Sequence, residues 1–240
     1  QHIPSIFTLI NLFLGFLAII NMMSGDYFIA CYFILAAGAF DSVDGKIARL
    51  VGISTNFGKE IDSLADMISF CLAPSILVYS LYTQNMPGLS GEIIASAPLI
   101  MGAIRLARFN TEVYDEQPSN FTGLPTPMNA LSIASLVLFI EHFKINNPEY
   151  SQPRLLLPLI LSLSYLMVSR VHYAKFPLLN FHSGRKNTIR LLGVLLFVVI
   201  FIISLLMGHP YKVLAGFVSY YILSGIFKHV ITLGNIEPTN

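Results

Sequence analysis

The chain has 240 residues, of which 55% are hydrophobic and only 11% charged, with a formal net charge of +1. A soluble domain carries about 25% charged residues and keeps its apolar patches small, so a water-soluble globular protein is excluded as the default. The net charge is uninformative by itself; an integral membrane protein is the reading that remains, with no nucleic-acid partner expected.

Eight apolar stretches lie along the chain, at 4–23, 27–48, 60–82, 90–109, 125–143, 154–172, 188–207 and 211–233. Each is close to the ~20 residues that cross a hydrocarbon core. The breaks carry turn residues: Ser24-Gly25-Asp26, Met86-Pro87-Gly88, Asn146-Asn147-Pro148 and Gly208-His209-Pro210. A spanning backbone must satisfy its own hydrogen bonds, and the dyad alternation of an outer-membrane barrel is missing. The predicted fold is therefore an all-α, polytopic membrane helix bundle of about eight transmembrane helices. Ala36, Ala37, Gly38 and Ala39 let the second span approach its neighbours closely. Cys31 and Cys71 lie inside apolar runs and read as packing residues, not as a disulfide or metal ligands.

The basic residues orient the bundle. With the N-terminus in the cytoplasm, 11 Lys and Arg fall on the cytoplasmic side, and only Lys144, Arg154 and Lys212 on the other. This is the asymmetry of the positive-inside rule, and eight spans then put both termini in the cytoplasm.

One stretch breaks the apolar pattern. Four of the six aspartates, Asp41, Asp44, Asp62 and Asp66, fall within 26 residues, at the end of the second span and the start of the third. Asp41 and Asp44 are three apart and Asp62 and Asp66 four apart, so each pair shares a helix face. A hairpin joining the two helices brings the faces together. Converging carboxylates at a membrane edge need a counter-charge, and oxygen-only ligands suit a hard cation such as Mg²⁺ or Mn²⁺. Gly45 lets backbone approach a phosphate, and Arg49 lies one turn on. Two other readings of the cluster stay open at this point: helix caps with interfacial salt bridges, and the carboxylates of an ion-coupled transporter.

The pattern Asp41-x2-Asp44-Gly45-x2-Ala48-Arg49-x8-Gly58-x3-Asp62-x3-Asp66 resembles the signature of the CDP-alcohol phosphotransferase family in every fixed position and gap. The resemblance implies a single membrane domain over 1–240, with a six-helix core and two extra C-terminal helices at 188–233. It implies transfer of a phosphatidyl-type group from a CDP-linked lipid to an alcohol, with release of CMP. It implies two divalent cations, Mg²⁺ or Mn²⁺, with Asp41 and Asp62 touching both metals, Asp44 the first and Asp66 the second. Asp66 would also be the general base. Gly45 and Arg49 would hold the diphosphate, and Thr55 would lie near the nucleotide. Pro4, Ser5 and Thr8 resemble the family's Pro-Asn-x-x-Thr entry to the cytidine pocket, with Ser5 where Asn is usual.

Two further stretches bear on the acceptor. Arg105-Leu-Ala-Arg108-Phe-Asn110 closes the fourth span, and Phe121-Thr-Gly-Leu-Pro-Thr-Pro127 opens the fifth. They are similar to segments of the phosphatidylserine synthase branch of the family, which implies CDP-diacylglycerol and L-serine as substrates and a homodimer in the membrane. Arg105 and Arg108 suit a carboxylate or a lipid phosphate, and would equally serve a phosphorylated acceptor such as inositol phosphate or glycerol phosphate. Asn11, polar within the apolar first span, is either a pocket residue or a packing amide.

Overall fold

The computed structural model describes residues 5–51, 56–111, 120–147, 156–174 and 185–234, without the side chains of 45–51, 56, 120, 121, 146, 174, 185–187, 190 and 232–234. All eight expected spans are helical within these residues. The first two are α1, Ile6–Met23, and α2, Tyr27–Val51. The third, α3, starts as Asn56–Asp66 and runs on through π-helical Met67–Leu72, α-helical Ala73–Val78 and π-helical Tyr79–Thr83. The fourth is broken into α4, Ser90–Ala95, and α5, Ala97–Thr111. There follow α6, Thr126–Asn146; α7, Leu156–Val168; α8, Arg185–Leu206; and α9, Pro210–Gly234. Six spans are long and apolar enough to cross a membrane, and Leu156–Val168 and Leu191–Leu206 are shorter apolar helices. The protein is an integral membrane helix bundle.

α1 shows why the spans pack as they do. Ile6, Leu9, Phe13, Phe16, Ile20 and Met23 are exposed along one face, at the helical period expected for a side turned to lipid. Thr8, Asn11, Gly15, Ala18 and Met22 form the buried face. Small and polar residues thus point inward and large apolar ones outward, the arrangement of a helix whose solvent is hydrocarbon. Ser5 starts the helix, its side chain accepting a hydrogen bond from the Phe7 N–H at 3.2 Å. Gly25, at φ 84°, ends it: the Asp26 N–H reaches the Asn21 carbonyl at 2.9 Å and the Gly25 N–H the Met22 carbonyl at 3.1 Å. This left-handed glycine cap satisfies the last carbonyls and turns the chain directly into α2.

The π-helical Met67–Leu72 segment precedes Pro74. Proline has no N–H to give and its ring crowds the carbonyl four residues back, so an α-helical register is strained there. The wider turn removes that conflict and keeps the span continuous.

The main core gathers α1, α2, α3, α6 and α7 around Ala18, Ile34, Phe70, Leu77, Ile133, Leu138 and Ile160. α1 meets α3 closely at Gly15, its bare backbone against the Ser69 side chain. A Cβ there would overlap the Ser69 Oγ and lie 2.8 Å from its Cα. Ser69 also donates to the Asn11 carbonyl at 2.9 Å. The two cysteines are buried and free, as expected of packing residues.

One small element adds to the expected helices. β1, Asn120–Thr122, pairs antiparallel with β2, His172–Ala174, with Phe121 opposite Tyr173 and Thr122 opposite His172. This ribbon ties the entry to α6 to the exit of α7, and α9 packs against β2.

Candidate active site

Asp41 lies in the second half of α2, and Asp62 and Asp66 lie in the second and third turns of α3. Each offers one carboxylate oxygen to a common centre, with these atoms all within 4.8 Å of one another. Three of the four carboxylates expected to converge thus come together among the described residues. Asp44, three residues from Asp41, is buried and turned toward α1, where it accepts a hydrogen bond from the Thr8 hydroxyl. Three like charges this close repel strongly in a low-dielectric setting, and a bound cation relieves them. Oxygen-only donors of this kind fit a hard divalent cation rather than zinc.

Asp66 is the most elaborately held of the four. Its Oδ1 accepts from the Asn11 side-chain amide at 3.4 Å, and its Oδ2 from the Thr126 hydroxyl at 3.3 Å. The two donors come from α1 and α6, so one carboxylate joins three helices. Asn11 is fully buried and Thr126 nearly so. Asn11 is thus brought to Asp66. Thr126 lies in the Leu-Pro-Thr-Pro run without a role predicted from sequence. The available signal is a hydroxyl residue in the first turn of a span, directly after Pro125.

The α3 turns that carry the aspartates are also tied to α5. Asn110, at the end of α5, donates to Ser63 Oγ at 3.0 Å and to Glu60 at 3.4 Å. Ser63 sits between the two α3 aspartates in sequence, so this pair links α5 to the carboxylate-bearing turns.

The two arginines of α5 part company. Arg105 is 8% exposed and its Nη1 donates to the Thr122 carbonyl of β1 at 3.4 Å. Arg108 is half-buried one turn on. Ser5 acts as the cap of α1. Gly45 and Arg49 belong to α2, with side chains outside the described set, while Pro4 and Thr55 lie outside the described residues altogether.

The model of the CDP-alcohol phosphatidyltransferase family matches residues 1–172. The chain belongs to that family. The CDP-diacylglycerol–serine O-phosphatidyltransferase of Helicobacter pylori strain 26695 is 34% identical over 235 residues, which cover 97% of this chain and 93% of that protein. The Bacillus subtilis protein of the same name is 34% identical over 190 residues, 78% of this chain and 99% of that protein. The archaetidylserine synthase of Methanothermobacter thermautotrophicus is 35% identical over 177 residues, 72% of this chain and 70% of that protein. Membership makes the chain an enzyme of phosphatidyl transfer, which displaces the transporter reading.

Proposed function

We propose that this CDP-alcohol phosphatidyltransferase transfers the phosphatidyl group of CDP-diacylglycerol to the hydroxyl of L-serine, giving phosphatidylserine and CMP. The observation that carries the reading is likeness along almost the whole chain to a protein named for that reaction. The carboxylate centre supports it.

Two divalent cations, Mg²⁺ or Mn²⁺, are assigned to Asp41, Asp44, Asp62 and Asp66. When bound, they supply charge stabilisation at the phosphoryl oxygens and the departing CMP. Asp66 is the general base. Its two hydrogen bonds, from Asn11 and Thr126, aim it. The serine hydroxyl oxygen attacks the lipid phosphorus, the bond from that phosphorus to the CMP oxygen breaks, and the hydroxyl proton passes to Asp66. A fixed carboxylate of this kind contributes about 10²–10⁴-fold by proton transfer. Gly45, Arg49, Thr55, Pro4, Ser5 and Thr8 are assigned to the CDP-lipid, and Arg105 with Arg108 to the serine carboxylate or the lipid phosphate.

The site is assigned to the cytoplasmic face, with both termini in the cytoplasm, on the strength of the 11-to-3 distribution of Lys and Arg. A homodimer and two accessory C-terminal helices belong to the same proposal.

The deciding experiment is an acceptor screen. Purified protein in detergent–lipid micelles receives labelled CDP-diacylglycerol with serine, inositol phosphate or glycerol phosphate. CMP release with serine alone is expected, and release with either phosphorylated acceptor but not serine would overturn the assignment. Likeness to the archaetidylserine synthase favours a second donor, an archaeal ether lipid, so CDP-archaeol is run beside the diacyl donor.

A further inference from the structure

Arg105 is a cation that the bundle turns inward, and a line of contacts connects it to the C-terminal helix. Its guanidinium donates to the Thr122 carbonyl at 3.4 Å. Thr122 pairs with His172, and the next residue of β2 is Tyr173. Tyr173 is buried, and its ring stacks on Tyr221 of α9 with centroids 5.5 Å apart and planes 19° from parallel. Gly225, one turn beyond Tyr221, presents bare backbone to the same ring. A Cβ there would lie 2.5 Å from Cδ1 and 3.1 Å from Cζ of Tyr173. Arg105 also stands within electrostatic reach of Asp66 and Tyr221. α9 lies wholly beyond residue 172, where the family match ends.

We propose that α9 sets the affinity for the acceptor by clamping the β-ribbon that aims Arg105, which makes Tyr221, Tyr173 and Gly225 positioning residues. The inference rests on the reading that serine is the acceptor and that Arg105 meets its carboxylate. A guanidinium at the end of four rotatable bonds binds a carboxylate well only when its plane is held, because the two-pronged contact is strict in geometry. The Thr122 carbonyl does the holding, the ribbon places that carbonyl, and the Tyr173–Tyr221 stack over Gly225 places the ribbon. Asp66 adjoins this line through Thr126, four residues past Thr122, but that bond comes from the first turn of α6 and not from the ribbon. Disturbing the stack should therefore weaken acceptor binding first and the CDP-lipid end least.

The test uses the full chain in detergent–lipid micelles. Gly225→Ala pushes on the Tyr173 ring, and Tyr221→Leu removes the stack. Each is expected to raise the serine KM about tenfold, with kcat and the CDP-diacylglycerol KM within about twofold of the starting protein. Tyr221→Phe retains the ring and is expected to retain the serine KM. Arg105→Lys raises the serine KM by itself, and adding Gly225→Ala to it should bring no further rise, since both act on one contact. Additive effects in the double variant overturn the proposal. So does an equal change in all three constants, or a Tyr221→Phe variant as impaired as Tyr221→Leu. Absence of any serine-dependent CMP release from the starting protein overturns the serine reading and this inference with it. Serine-dependent turnover with an unshifted serine KM in Gly225→Ala and Tyr221→Leu overturns the inference alone.

Discussion

The Thr126 hydroxyl, at the first turn of α6, stands 3.3 Å from Asp66 Oδ2, 60 residues earlier in the chain. If Asp66 is the base, this bond matters for catalysis more than for binding. Asp66→Asn should lower kcat by about 10³-fold, the scale of general-base catalysis, while CDP-lipid binding persists. Thr126→Val removes one hydrogen bond to a charged group, about 1.5 kcal/mol, and should lower kcat about tenfold with the substrate KM values unchanged. Steady-state kinetics on both variants check this, and a Thr126→Val protein with full kcat would dismiss the aiming role.

Thr8 donates to Asp44 from α1. Thr8→Val leaves a buried carboxylate short of a donor, a loss of about 1–3 kcal/mol. The Mn²⁺ concentration for half-maximal activity should change several-fold, measured by metal titration. An unchanged titration with a raised KM for CDP-lipid would instead place Thr8 at the nucleotide.

Metal removal gives a direct check on the carboxylate centre. EDTA should stop CMP release, and Mg²⁺ or Mn²⁺ should restore it, because oxygen-only donors favour hard cations. Restoration by zinc alone would contradict the donor logic.

Gly15 lets α1 and α3 touch backbone to side chain across Ser69. Gly15→Val must push the helices apart, with an overpacking cost of about 1–3 kcal/mol. A lower thermal unfolding midpoint in detergent is expected, together with a fall in activity, because Asn11 and Thr8 lie on the same buried face.

Tyr173 supplies a pH-dependent prediction. Burial pushes its phenol up to about 12. The neutral form is favoured in the fold, so the stability it contributes is fully present below pH ~10, the unfolded value, and is lost as pH rises from there toward 12. Its hydroxyl has no hydrogen-bond partner among the described residues, so Tyr173→Phe should be neutral or slightly stabilising at pH 7. The variant's advantage should grow in unfolding scans above pH 10. A difference that stays flat to pH 12 would show that the phenol is not buried in solution.

Much of the architecture is legible in the sequence, for identifiable reasons. Hydropathy locates the eight helices because lipid imposes a uniform demand on every span. The aspartate spacing locates the site because local helix periodicity brings Asp62 and Asp66 to one face. What sequence spacing does not supply is contact across long separations. Nothing local to Thr126 says that it meets Asp66, and nothing near Asn120 announces a partner at Ala174. The π-helical turns are also hidden, since Met67–Leu72 has the same hydropathy in either register. Asp44 shows the limit of periodicity from the other side: it shares a face with Asp41, yet its hydrogen bond goes to α1.

The two hydrogen bonds on Asp66 have a consequence for how the enzyme comes into being. α1 and α3 are available early in synthesis, but α6 carries Thr126 and reaches the membrane later. A half-inserted chain therefore holds all four aspartates and still lacks the Thr126 hydroxyl that Asp66 meets. The share of turnover that this hydroxyl is predicted to supply becomes available only when the fifth span has docked.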